Sequence, residues 1–135
     1  MPKIMIAEDD ATNRDLLSEM IRRWGYTVIE ANNGADALEK MAEVTPDLVV
    51  CDIRMPVLDG VGFVRALRRT AKFAGLPVIA LTGFGPEDHD AIASAGFTTY
   101  QSKPVSFELL RRNVERLLPK GTRDRDDSSG KKGTA

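Results

Sequence analysis

This sequence predicts an open, doubly wound α/β fold in which five parallel strands alternate with five helices. Three observations predict it. Short apolar runs at Ile4–Ala7, Leu48–Cys51 and Val78–Leu81 have the length and composition of strands buried on both faces of a parallel sheet. Between the runs the apolar period changes to that of a helix with one buried stripe, the alternation that builds a helix-covered sheet. The runs also end on residues with chemistry, Glu8-Asp9, Asp52 and Thr82, at the carboxyl ends of strands, where open α/β sheets bind ligands.

Each element follows from its own residues. Strand one is Lys3 to Ala7. Residues 11 to 24 form helix one, with Leu16, Leu17, Met20, Ile21 and Trp24 on one face and Asp15, Glu19 and Arg23 opposite; Gly25 closes it. Tyr26 to Glu30 is strand two. Asn33-Gly34 is a turn, and Ala35 to Val44 is helix two, with Ala37, Leu38 and Met41 facing inward. Strand three starts at Leu48 after the turn Thr45-Pro46-Asp47 and delivers Asp52 at its end. Pro56 has no N–H for a ladder, so the strand cannot continue past it. Helix three runs from Asp59 to Lys72, buried through Val61, Val64 and Leu67. Strand four is Pro77 to Leu81, ending at Thr82, and Gly83-Phe84-Gly85 is a flexible loop. Pro86 suits the first turn of helix four, and Glu87 and Asp88 suit its positive end. Gly96 stops that helix. Strand five is Phe97 to Gln101, and Ser102-Lys103-Pro104-Val105 leads into helix five, Ser106 to Leu118, packed through Leu109, Leu110, Val114, Leu117 and Leu118.

Strands one, three and four are nearly all apolar, whereas strands two and five carry Thr27, Glu30, Thr98, Thr99 and Gln101. Polar strands belong at the edges of a covered sheet. The order is therefore 2-1-3-4-5, the flavodoxin-like winding, with its switch point between strands one and three.

Composition narrows the function classes. At 135 residues and 42% hydrophobic the chain has a one-domain length and enough apolar mass for a core. No apolar segment is long enough to span a membrane, and the acidic Glu8-Asp9-Asp10 rules out a signal peptide. The single cysteine, Cys51, excludes an internal disulfide and a multi-cysteine metal site, so a reducing, cytoplasmic home is expected. Net charge is −1, and the basic pairs Arg22-Arg23, Arg68-Arg69 and Arg111-Arg112 are dispersed, which argues against direct nucleic-acid binding. Residues 119–135 carry five Lys/Arg and three Asp, a net +2, with almost nothing apolar. They are expected to be a disordered polar tail on a domain of residues 1–118.

At the switch point Glu8 and Asp9 meet Asp52. Two unit charges about 4 Å apart repel by roughly 4 kcal/mol at an effective dielectric of 20, so something must offset the crowding. Hard divalent cations take oxygen ligands, and the acids argue for Mg²⁺. They argue against a flavin or dinucleotide phosphate, which needs glycine-rich N–H donors here. Strand four adds the Thr82 hydroxyl and strand five the Lys103 ammonium. Together these are the parts for holding a phosphoryl group on an aspartate, with Asp52 the nucleophile.

With these residues the sequence resembles the receiver domains of two-component response regulators (CheY-like). The motifs are Ile6-Ala7-Glu8-Asp9-Asp10, Asp52-Ile53-Arg54-Met55-Pro56-Val57-Leu58-Asp59-Gly60, Ala80-Leu81-Thr82-Gly83 and Tyr100-Gln101-Ser102-Lys103-Pro104, and the resemblance covers residues 3 to 118. It implies that Asp52 accepts a phosphoryl group from a phosphohistidine on a histidine kinase or histidine phosphotransfer protein. It implies Mg²⁺ held by Glu8, Asp9, Asp52 and the backbone carbonyl of Arg54, with Thr82 and Lys103 on the phosphoryl group. It further implies that Tyr100 changes rotamer as the switch, that Lys103-Pro104 is cis, and that Arg54 and Phe84 tune self-dephosphorylation. Glu8 stands where Asp is commoner in the family.

Arg54 offers only hydrogen-bond donors and Phe84 only apolar bulk, so neither can take a proton from an attacking water, and a long-lived phosphoprotein is expected. The expected function is a stand-alone receiver that catalyses only its own phosphorylation and slow dephosphorylation, and that signals through a protein target on the face of strand five and the last helix, including Val105. A receiver within a hybrid histidine kinase is the alternative. An aspartate-nucleophile phosphatase is disfavoured, because Arg54 stands where that class places its second acid. Cys51 is read as packing, His89 as a surface residue, Asp10 as a cap or a support of the acids, and Asn13 and Arg14 as a solvated face or a partner contact.

Overall fold

The computed structural model of the protein describes residues 1–83 and 87–118. Five strands form one parallel sheet in the order expected: β1 (Lys3–Ala7), β2 (Thr27–Ala31), β3 (Leu48–Asp52), β4 (Val78–Thr82) and β5 (Thr99–Ser102), arranged 2-1-3-4-5. The helices are α1 (Ala11–Arg23), α2 (Gly34–Met41), α3 (Gly60–Arg68), α4 (Glu87–Ala95) and α5 (Phe107–Leu117). No helix among the described residues is long and apolar enough to cross a membrane. The expectations for Phe84, Gly85, Pro86 and residues 119–135 lie outside the described residues.

Strand alternation divides the core into two layers. Ile4, Ile6, Leu48, Val50, Ile79 and Leu81 pack with Leu17 and Ile21 of α1 and with Leu110 and Val114 of α5. Met5, Ala7, Val49 and Cys51 face the other way, against Ala37, Met41, Phe63, Val64 and Leu67 from α2 and α3. Every residue of β3 and β4 is buried, which is why those strands read as continuous apolar runs.

Register sets the functional edge. Ala7 is level with Cys51, Asp52 with Leu81, and Thr82 with Ser102, so the residues that follow β1, β3, β4 and β5 leave the sheet along one rim. The helices begin there with side-chain caps: Asp10 accepts from the Asn13 N–H, Asn33 from Asp36 and Asp59 from Gly62. Each such cap is typically worth about 1 kcal/mol.

The boundaries differ from expectation where side chains compete for backbone. Asn33-Gly34 is not a free turn but the cap and first residue of α2, packed so closely on the β3–α3 loop that a Cβ on Gly34 would lie 2.6 Å from the Leu58 carbonyl oxygen. The third helix stops at Arg68 and tightens into a 3-10 turn, Ala71–Phe73, because the Thr70 hydroxyl returns to the Ala66 carbonyl. Strand β5 starts at Thr99 rather than Phe97: Phe97 packs into the core, and Thr98 brackets Val78 with both its N–H and its hydroxyl. Leu16 and Leu109, expected inward, are exposed, since Leu17 and Leu110 take the core-facing positions beside them.

One backbone outlier lies on the rim. Val57 has φ 68°, in the left-handed region, and the Leu58 N–H closes a tight turn onto the Pro56 carbonyl at 2.8 Å. A non-glycine residue held this way costs roughly 1–3 kcal/mol and persists only where its surroundings over-determine it. The Lys103–Pro104 peptide is cis.

At the opposite end, Arg68 ties three segments together. Its guanidinium donates to the carbonyls of Gly96 at 2.9 Å, Phe73 at 2.8 Å and Ala74 at 3.3 Å. Arg68→Met keeps the stem and removes the donors. It is expected to lower stability by about 2 kcal/mol, as for charge-assisted hydrogen bonds left unmade, in urea denaturation.

Candidate functional site

Four strand ends build the site. Asp52, at the last position of β3, is 5% exposed, and Glu8, just past β1, is buried too, while Asp9 is open to solvent. Oxygens from all three carboxylates lie within 4.8 Å of one another. Lys103, just past β5, places its Nζ 2.9 Å from Asp52 Oδ2 and 3.8 Å from Glu8 Oε1. The Lys103 N–H also donates to the Thr82 carbonyl at 2.7 Å, which ties the end of β5 to the end of β4, where Thr82 is buried.

The backbone beneath Asp52 is fixed by glycine. A Cβ on Gly60 would sit 2.4 Å from the Asp52 carbonyl oxygen, and the Gly60 N–H bonds the Ile53 carbonyl at 2.9 Å. Only a residue without a side chain lets the start of α3 approach so closely.

Glu8 is held from two sides. Its Oε2 accepts the Asp10 N–H at 3.1 Å, and its own carbonyl accepts from Arg14 Nη1 at 2.8 Å. Arg14 is positioned in turn by Glu30 of β2, which also takes the Ser18 hydroxyl at 2.6 Å and lies 3.8 Å from Arg22. Arg14 therefore belongs to the site's support, contrary to its reading as part of a solvated face. Asp10 does both things expected of it, capping α1 and bonding Glu8.

The charges show strain. Burial pushes the Glu8 carboxyl up to about 7, reinforced by the charges of Asp52 and Asp9 and opposed by the Asp10 N–H and Lys103. Burial works against the Lys103 ammonium, but the hydrogen bond and charge of Asp52, with Glu8 and Asp9 behind it, outweigh that and raise its pKa. Burial raises the Cys51 thiol, leaving it an inert packing residue.

Three carboxylates against one ammonium leave the cleft short of positive charge, and an all-oxygen donor set of this size suits a hard divalent cation. Arg54, the other expected contributor, lines a shallow opening of about 420 Å³ with Asp9, Met55, Pro56 and Asp59. A second cavity, about 250 Å³ and mainly apolar, adjoins Lys103 and Glu8 between Leu16, Leu17, Pro104 and Val105. Tyr100 is exposed on edge strand β5, level with Ala80.

A flavodoxin-like sheet that gathers three acids, a lysine and a threonine at its switch point defines a signalling module of the phosphoacceptor type. The family model for the response regulator receiver domain matches residues 4–115, and the chain belongs to that family. The polar-differentiation response regulator DivK of Brucella anthropi is 37% identical over 120 residues, covering 87% of this chain and 98% of that protein. The signal receiver domain of a histidine kinase from Syntrophus aciditrophicus superposes with a TM-score of 0.85 at 28% identity, covering 100% of this chain and 99% of that one. The receiver domain of the sensor histidine kinase PA1611 from Pseudomonas aeruginosa, solved with a magnesium ion coordinated in its active-site cleft, superposes with a TM-score of 0.81 at 30% identity over 86% of this chain and 96% of that one. Against other curated relatives, transcriptional regulators such as ZraR of Klebsiella oxytoca, the chain spans about a quarter of their length, 26%.

The raised carboxyl of Glu8 makes stability depend on pH. Folding favours the protonated acid, so this contribution is complete below the ordinary carboxylate range near 4.5 and is lost as pH rises through about 7. Glu8→Gln keeps an acceptor for the Asp10 N–H and removes the charge. In metal-free buffer the variant should exceed the wild type in stability by about 1–2 kcal/mol at pH 8 and match it at pH 4, below the ordinary carboxylate value, as measured by urea denaturation at both values.

Proposed function

We propose that the chain is a phosphoacceptor switch in two-component or phosphorelay signalling. In this reading Asp52 receives a phosphoryl group from a phosphohistidine on a histidine kinase or histidine phosphotransfer protein, and the phosphorylated chain changes which protein it binds. The observation that carries the proposal is the geometry around Asp52: one nearly buried carboxylate, bonded by Lys103 at 2.9 Å and grouped with two further acids.

In the transfer, an Asp52 carboxylate oxygen attacks phosphorus. The new P–O bond forms as the P–N bond to the donor imidazole breaks, and the imidazole departs with the bonding electron pair. Charge collects on the phosphoryl oxygens. Lys103, already bonded to Asp52, balances part of it, and the Thr82 hydroxyl donates to another oxygen. Mg²⁺, held by the carboxylates of Glu8, Asp9 and Asp52 and by the backbone carbonyl of Arg54, supplies the remaining positive charge when bound. The magnesium in the related kinase receiver supports this assignment.

Phosphorylation replaces the single negative charge of Asp52 with the roughly −1.5 to −2 charges of an acyl phosphate. Thr82 moves toward it, and Tyr100 turns into the space vacated. The face of β5 and α5, including Val105, then presents a changed surface to the downstream protein. The receiver unit is residues 1–118, with 119–135 a polar tail. Arg54 and Phe84 slow hydrolysis of the phosphorylated state, because neither can accept a proton from water.

Three variants test these roles. Asp9→Ala should remove Mg²⁺-dependent labelling by acetyl phosphate while the circular dichroism spectrum stays that of a folded protein; labelling with unchanged Mg²⁺ dependence contradicts the metal assignment. Tyr100→Ala should be labelled normally yet fail to signal. For lifetime, Arg54→Asn with Phe84→Glu should speed phosphate loss at least several-fold once the donor is removed, and an equal or slower loss contradicts the tuning role.

A further inference from the structure

Val57, beside the cleft, combines two features that folding does not use. Its φ of 68° lies where a β-branched side chain is poorly tolerated. The residue is 84% exposed, so burial returns little for that strain. Glycine or asparagine would make the same turn without the conflict.

The turn is fixed by its neighbours rather than by Val57. The Leu58 carbonyl accepts the Gly34 N–H at 2.8 Å, and the Gly60 N–H holds the Ile53 carbonyl at 2.9 Å. The Leu58 side chain fills the space where Gly34 and Gly62 lack a Cβ. The backbone therefore points residue 57 outward whatever its side chain. Pro56, next to it, lines the shallow opening beside Asp9 and Arg54, and among residues 52–60 Val57 is the one fully exposed large apolar side chain; Arg54, Pro56 and Asp59 are the other exposed positions. Asp52 is only 5% exposed. A protein that delivers a phosphoryl group must push its phosphoimidazole in past this rim, so its surface covers the loop.

We propose that Val57 is a specificity-determining contact for the phosphodonor protein: a rigid apolar knob that seats in an apolar depression beside the donor's phosphohistidine. The proposal rests on Asp52 being the phosphoacceptor. A side chain held outward by a fixed turn binds without the cost of ordering a loop, and an apolar contact within a polar rim follows the usual layout of an interface.

The test compares Val57→Asn and Val57→Gly, which remove the contact without adding strain, with Val57→Leu, which keeps it apolar. Full-length proteins are labelled with acetyl phosphate and Mg²⁺, and separately by purified, autophosphorylated histidine kinases and by phosphorylated phosphotransfer proteins of the source organism. Acetyl phosphate should label all four proteins equally, with urea midpoints of the Asn and Gly variants no lower than wild type. With the donor protein that labels wild type fastest, kcat/KM should fall at least five-fold for Asn and Gly, through KM, and Leu should recover at least half of it. Wild-type kcat/KM in the Asn and Gly variants overturns the proposal, as does a wild type labelled by acetyl phosphate but by no donor protein. If acetyl phosphate leaves Asp52 unlabelled in the wild type, the phosphoacceptor reading itself fails.

Discussion

Unequal charge in a small volume is the constraint on which the site depends. Glu8, Asp9 and Asp52 bring carboxylate oxygens within 4.8 Å of one another, and the Lys103 ammonium pairs with Asp52 and Glu8. At such separations each like-charge pair repels by about 4 kcal/mol at an effective dielectric of 20. The fold accommodates this in two ways: Lys103 bridges Asp52 and Glu8, and burial pushes the Glu8 carboxyl up to about 7. A cleft left this acidic is less stable than a neutral one, the trade-off common at sites that must respond to a ligand.

The architecture can bear the imbalance because everything beneath it is apolar and regular. Strands β3 and β4 are buried throughout, so the positions of Asp52 and Thr82 are set by a packed sheet rather than by mobile loops. The helices that follow β1, β2 and β3 start at side-chain caps, Asp10, Asn33 and Asp59. Support reaches as far as the sheet edge: Glu30 of β2 orients Arg14, and Arg14 holds the carbonyl of Glu8. The strain at Val57 survives in the same way, clamped between the starts of α2 and α3.

Much of this was legible in the sequence. The polarity of Thr27, Glu30, Thr99 and Gln101 places two strands at the edges, and the acids at the ends of apolar runs mark the cleft. What escaped was set by contacts that leave no local pattern. Arg14 bonds a backbone carbonyl and a glutamate sixteen positions away, so its spacing looked like that of any exposed helix residue. Leu16 and Leu109 satisfy helical periodicity, yet each lies at the margin of an apolar stripe whose centre its neighbour occupies. Asn33-Gly34 has turn chemistry, and only packing against Leu58 makes it a helix start. The left-handed backbone of Val57 had no glycine or asparagine to announce it.

Thermal unfolding at pH 8 in MgCl₂, against KCl of matched ionic strength, tests the central claim most directly. If the cleft is short of positive charge and built for a divalent cation, Mg²⁺ at ten times its dissociation constant should stabilise the folded state by about 1.4 kcal/mol. That corresponds to a rise in Tm of roughly 4–8 °C for a domain near this size. A transition that moves no further in Mg²⁺ than in matched KCl would contradict the account.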